Sequence, residues 1–227
     1  MRMLAVYHKG PSLAFISHLD VQRTLQRAMR RAGIPLAFSQ GFNPHPKLSF
    51  ASALATGQTS DAEWFEAELS ENVAPEEFVA RVNGVLPRDF YFSDAMAAPD
   101  KLPSLSSLTR AGAYVIQFYL DREIPEDLLI SKLEAMLSGE IIVNKKTKSG
   151  YRDVDLRPEI IEAFVERVEG SCATLRVLGR LQADGGLRAD LFTRAFLDRL
   201  DAQGDVRIHR SAMYFAADGL LPELPSE

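Results

Sequence analysis

Two hydrophobic periods, one of about two residues and one of about 3.6, alternate along this chain, and their order constrains its fold more than any other feature. The stretch MLAVYHKG, with LAFIS after it, reads as a first strand with a turn or bulge. A helical pattern opens at Ser17, a favourable N-cap with Asp20 three residues on, close to a capping box. It should run to Ala32 and stop at Gly33, with Pro35 just beyond. IPLAFSQG and KLSFAS read as short strands around an FNPHP turn. AEWFEAELS alternates like a half-buried strand with Trp64, Glu66 and Glu68 on one face. Pro75 opens the helix PEEFVARVNGVL, and DFYFSDAM is the next strand. Allowing for one extra strand, the order is β-α-β-β-α-β, that of the ferredoxin-like split βαβ unit.

After a Pro- and Ser-rich linker, AAPDKLPSLSSLTRAG, the order repeats. AYVIQFYLD is a strand, Pro125 opens a helix ending at Gly139, and EIIVNKK with GYRDVDL forms a hairpin. EIIEAFVERVEG fits an inserted helix or an irregular connection. SCATLRVLGRL, RADLFTRAFLDRL and VRIHRSAMYFA follow as strand, helix and strand. The expected fold is therefore α+β, two tandem ferredoxin-like halves spanning 1–104 and 105–227, the second carrying an insertion.

At 46% hydrophobic and 25% charged, the composition suits a globular protein with a real core. No run approaches the roughly 20 apolar residues of a membrane span. Cys172 is the single cysteine, which excludes an internal disulfide, a structural zinc site or an iron–sulfur cluster within these residues. A cytoplasmic protein with no membrane association, metal or cofactor is expected. The net charge of −5 conceals a segregation: residues 1–50 carry +6, residues 51–100 carry −8 and the remainder −3. A basic face can therefore exist on an acidic chain, unless the two regions neutralise each other.

The basic residues concentrate on the first helix. At about 100° per residue from His18, Arg23, Arg27, Arg30 and Arg31 fall between about 120° and 220°. Val21, Leu25, Ala28, Met29 and Ala32 cover the opposite arc. Only Asp20 stands among the arginines, where a solvated face would normally mix signs. The acid-rich stretch 61–77 is one source of neutralisation; an external anion, gripped by forked guanidiniums, is the other. A second cluster, Lys145, Lys146, Lys148 and Arg152, falls at the hairpin tip with Tyr151 available for stacking. Tip lysines also serve simply to block edge pairing.

The turn between the short strands offers Ser39, Gln40, Asn43 and Lys47 as polar groups and Phe42 and His45 as flat surfaces, on a backbone stiffened by Pro44 and Pro46. Such a loop suits a nucleotide base; the alternative is a tight connection whose Phe42 plugs the core. His18 is the best acid–base candidate and would be the general base of a metal-independent endoribonuclease. It points away from the arginines, however, and His8, His18, His45 and Asp20 form no recognised metal spacing.

The block ISHLDVQRTLQRAMRRAGIPLAFSQGFNPHPKLSFASALATGQTSDAEWFEAELSE, with KKTKSGYRDVDLRPEI, GGLRADLF and VRIHRSAMYF, resembles the radical SAM-linked protein family. Its members stand alone or are fused behind a radical SAM enzyme. The resemblance implies that this chain, which lacks a CxxxCxxC motif, is a stand-alone form whose partner is a separate radical SAM enzyme. It supplies no catalytic residues. The two-half architecture is also similar to that of CRISPR RNA-processing endoribonucleases, without their glycine-rich loop. The reading that follows is an RNA-binding adaptor, for tRNA or rRNA, with no catalysis of its own. The arginine helix would hold phosphates, residues 39–47 would position a nucleotide, and segment 61–77 would face the enzyme. The alternatives are the nuclease and a protein–protein scaffold.

Overall fold

A computed structural model describes residues 1–147, 150–182, 185–217 and 219–224. In chain order the elements are β1 (Arg2–Lys9), α1 (His18–Arg31), β2 (Leu48–Phe50), β3 (Gln58–Glu68), α2 (Pro75–Asn83), β4 (Phe90–Ala97) and the single turn α3 (Leu105–Leu108). They continue with β5 (Thr109–Leu120), α4 (Glu126–Leu137), β6 (Ile142–Thr147), β7 (Gly150–Asp155), β8 (Ile160–Glu169), β9 (Cys172–Gln182), β10 (Gly185–Gly186), α5 (Ala189–Leu200) and β11 (Gly204–Phe215). The fold is α+β, with five helices among the described residues.

The chain divides into two compact units, Met1–Arg110 with Ala212–Glu227, and Ala111–Ser211. Each boundary falls inside a strand, β5 or β11, so the C-terminal residues return to the first unit.

In the first unit β1 pairs antiparallel with both β3 and β4, and β2 pairs antiparallel with β3, giving the order β4-β1-β3-β2. Met3, Ala5 and Tyr7 alternate onto one face of β1, joined by Phe65 and Ala67 of β3 and Phe90 and Phe92 of β4. Onto this face α1 lays Val21, Leu25, Ala28 and Met29, and α2 lays Phe78 and Val82. Full burial of one such Val, Leu or Met stabilises by about 1.5–3 kcal/mol, so the stripe on α1 decides which way its arginines point. In the second unit β5 pairs with β9, and β9 with β8, both antiparallel, while β11 flanks β5. The order β11-β5-β9-β8 repeats that of the first unit, with α4 and α5 packing Leu129, Leu133, Phe192 and Phe196 against Ile116, Phe118 and Leu175. The β6–β7 hairpin is the inserted piece between α4 and β8.

Three sequence expectations are corrected. EIIEAFVERVEG is neither helix nor irregular connection but strand β8. LAFIS does not extend the first strand: Pro11–Leu13 form a 3₁₀ turn and Phe15 is exposed. The chain turns there at Gly10, whose N–H donates to Asp89 O at 2.8 Å and where a Cβ would stand 2.7 Å from Asp89 Cβ. IPLAFSQG contributes only the isolated bridges Leu36–Leu69 and Phe38–Pro46.

Candidate nucleic-acid interface

Helix α1 begins at Ser17, whose Oγ accepts from Asp20 N–H at 3.2 Å and donates to Asp20 Oδ2 at 2.7 Å. That hydrogen bond, before the influence of Arg23, holds the Asp20 carboxyl below its ordinary range. At the other end Gly33 takes φ +65°, the left-handed conformation that ends a helix. Arg81 of α2 reaches across to donate Nε to Ala32 O at 3.0 Å and Nη2 to Ala32 O at 2.8 Å and to Gly33 O at 2.5 Å. The helix is thus fixed at both ends.

Arg23, Arg27, Arg30 and Arg31 are all exposed. Arg23 pairs with Asp20 at 3.3 Å, and Arg31 donates to Val85 O. Among the described residues Arg27 and Arg30 make no hydrogen bond or ion pair. The acid-rich stretch is engaged elsewhere: Asp61 with His8 at 2.5 Å, Glu66 with Arg2 at 2.6 Å, Glu68 with Lys47 at 2.7 Å and Glu77 with Arg81 at 3.0 Å. Among the described residues no acid of segment 61–77, one of the two sources weighed from the sequence, forms an ion pair with an α1 arginine.

The turn after α1 is closed by Ser39 N–H to His45 O at 2.9 Å and by His45 N–H to Ser39 Oγ at 3.1 Å. His45 Nδ1 lies 3.2 Å from both Ser39 Oγ and Asn43 O. Gln40, Phe42 and Asn43 project outward, and Phe42 is fully exposed. A core-plugging Phe42 is thereby overturned. Lys47 is tied to Glu68. No hydrogen bond or ion pair links the turn to the α1 arginines among the described residues.

In the second unit the β6–β7 register sets Lys145 directly across from Arg152, and Lys146 across from Tyr151. Like charges opposite one another destabilise a hairpin. Lys148 lies outside the described residues.

His18 continues the apolar stripe rather than the arginine face. Its ring sits edge-on to Phe50 at 4.8 Å. Burial pushes its pKa below the ordinary value, the nearby Glu63 carboxylate opposes this and Lys9 adds to it. Lys9 is 2% exposed, its ammonium donating to Ala14 O at 3.0 Å and Gln58 O at 3.1 Å, and Glu63 is 1% exposed. This buried polar group was not foreseen. Its signal is faint: Lys9 and Glu63 sit on the inward-facing positions of two apolar-alternating strands. His8, stacked on Tyr91 at 4.7 Å, and His45 each have partners of their own, and no cluster suited to a metal ion occurs among the described residues.

Fold and site together define a two-unit α+β protein with two exposed arginines, Arg27 and Arg30, left unpaired on one helix among the described residues. The chain belongs to the family described as an uncharacterized protein conserved in bacteria (DUF2344), whose model matches residues 2–188. No curated protein matches it in sequence. Its fold is similar to that of a chain in a Cbf5-Nop10-Gar1 complex, at 15% identity and TM-score 0.57, over 98% of this chain and 52% of the other. An archaeal box H/ACA sRNP Nop10-Cbf5 complex is matched at 13% identity and TM-score 0.49, over 92% of this chain and 46% of the other. The chain thus spans about half the length of the solved chains it resembles.

Proposed function

We propose that the protein is an RNA-binding adaptor, made of two ferredoxin-like halves, that presents an RNA to a separate radical SAM enzyme. The observation that carries RNA binding is the pair Arg27 and Arg30, exposed on a helix capped at both ends and left without an anion by the acids of their own unit. Guanidiniums so placed suit forked contacts to phosphate. The exposed Phe42, Gln40 and Asn43, on a turn braced through Ser39 and His45, suit stacking and base-edge contacts. Lys145 and Arg152, opposed on the hairpin, supply a second phosphate contact. The companion enzyme is supported by the sequence resemblance, and segment 61–77, where Glu71 and Glu76 are exposed, is the surface proposed to face it.

A test separates this reading from a metal-independent nuclease. Purified protein is incubated with its bound RNA in EDTA, as wild type and as His18→Ala, and the protein is also recovered from cells with whatever accompanies it. The adaptor binds RNA without cutting it in either form, and a radical SAM enzyme co-purifies. A general base contributes about 10²–10⁴-fold in rate, so cleavage by wild type that His18→Ala abolishes would overturn the adaptor.

A further inference from the structure

Arginines in the second unit are mostly anchored. Arg157, Arg176, Arg180 and Arg188 hold carbonyls or carboxylates at 3.0 Å or less, and Arg122 and Arg167 have partners as well. Arg194 on α5, like Arg152 on β7, makes no hydrogen bond or ion pair among the described residues. Arg194 lines a cavity of about 430 Å³ between α5 and the base of the β6–β7 hairpin. Arg199, the second guanidinium there, makes one long hydrogen bond among the described residues, to Glu140 O at 3.5 Å. Asp198 supplies a carboxylate that is likewise unpaired among the described residues. The floor is apolar, from Ile141, Val143 and Leu191. Asn144 contributes an amide, fixed by its donation to Asp153 Oδ1 at 2.8 Å. Leu191, Arg194, Ala195 and Asp198 recur at helical spacing, so one face of α5 builds one wall.

A small apolar cleft with a few convergent polar groups is the usual form of a small-ligand site, and its volume lies within the usual range for one. Two guanidiniums select a phosphate. An apolar floor selects a flat ring. A carboxylate accepts paired hydrogen bonds best from a base edge with two adjacent donors, which among the RNA bases is the N1–H and N2–H₂ edge of guanine; uracil offers one donor between two carbonyls. We infer that this cavity binds a nucleoside 5′-monophosphate unit, guanosine in preference to uridine, with Arg194 and Arg199 on the phosphate and Asp198 on the base. The inference rests on the RNA-binding reading insofar as the nucleotide is taken to be one residue of a bound strand, and the opposed Lys145 and Arg152 lie on the same hairpin whose base forms the cavity.

The test is an NMR titration of the isotope-labelled full chain with 5′-GMP, 5′-UMP and inorganic phosphate, each alone. GMP should shift the resonances of Ile141–Asn144 and Leu191–Arg199. UMP and phosphate should bind about tenfold or more weakly, the worth of a good bidentate contact. Arg194→Ala should weaken every ligand, and Asp198→Asn should remove the preference for GMP over UMP; both positions are exposed, and an unchanged thermal midpoint verifies the fold. Phosphate binding as well as GMP, or no shifts at these residues, overturns the inference. The two readings fail separately. Salt-sensitive RNA binding without mononucleotide shifts sinks the cavity alone, and GMP binding without RNA binding sinks the RNA reading alone. Arg27→Ala/Arg30→Ala should weaken RNA and leave the GMP titration unchanged.

Discussion

At the level of single side chains, the arginines of α1 divide by what they touch. Arg23 and Arg31 have partners in their own unit, whereas Arg27 and Arg30 have none among the described residues. The helical period alone placed all four on one face; it could not tell the tethered from the free, because Val85 is far from Arg31 in sequence. His18 shows the opposite case, a residue whose environment decides its chemistry. Burial disfavours its imidazolium, so the folded protein holds it neutral to lower pH than the unfolded chain, where it titrates near 6.5. Its contribution to stability is therefore full above pH 6.5 and declines as pH falls below that value, because the unfolded state takes up the proton first. Between about pH 7 and 5, wild type should lose more stability to acid, measured by urea unfolding, than His18→Gln does. Equal slopes for the two proteins would mean that the ring is not held neutral by burial.

At the scale of elements, α1 was legible because its stop and start signals are local: Ser17 caps it and Gly33 ends it. The Arg81 cap was not legible, since it comes from another helix. Ser17→Ala should cost about 1 kcal/mol, and Arg81→Ala about 1–3 kcal/mol by leaving the Ala32 and Gly33 carbonyls, just past the end of α1, without their charged donor. Urea midpoints check both, and Arg81→Ala should also weaken RNA binding by misaligning the arginine face; unchanged stability would remove Arg81 from its role. Strand β8 was illegible for a definite reason. Its register shifts between Ile160 and Glu162 and again between Val165 and Arg167. The inward residues are consequently Ile160, Ala163, Val165 and Val168, and with Ile161 and Phe164 facing out the apolar positions fall at helix-like spacing. A bulge defeats a reading that depends on a strict period of two.

At the scale of the molecule, the α+β class was readable, but the order of elements in the second half and the distribution of the chain between units were not. A boundary in the linker is natural from composition, yet the structure divides within β5 and returns Ala212–Glu227 to the first unit. There Phe215 is buried and meets Trp64 edge-on, with ring centroids 5.5 Å apart. Trp64 is the protein's single tryptophan, and hence a specific reporter of this junction. A chain ending at Ser211 should lose the Phe215 contact, expose Trp64 and shift its fluorescence to longer wavelength, with destabilisation of about 3–5 kcal/mol from the missing phenyl ring alone. An unshifted spectrum would show that the C-terminal residues contribute nothing to the first unit.

The charge segregation seen in the sequence resolves, within the first unit, into acids paired with Arg2, Lys47, His8 and Arg81 and a residual positive face on α1. That remaining charge is what is proposed to hold RNA, and fluorescence anisotropy of a labelled RNA, titrated with protein from about 50 to 200 mM salt, tests this most directly. Wild type should bind with an affinity that falls steeply as salt rises. Arg27→Ala/Arg30→Ala should bind more weakly at every salt concentration, with the logarithmic slope reduced by roughly 0.7–0.9 for each lost phosphate contact. RNA binding that ignores salt, no binding at all, or a slope identical in the double variant would contradict it.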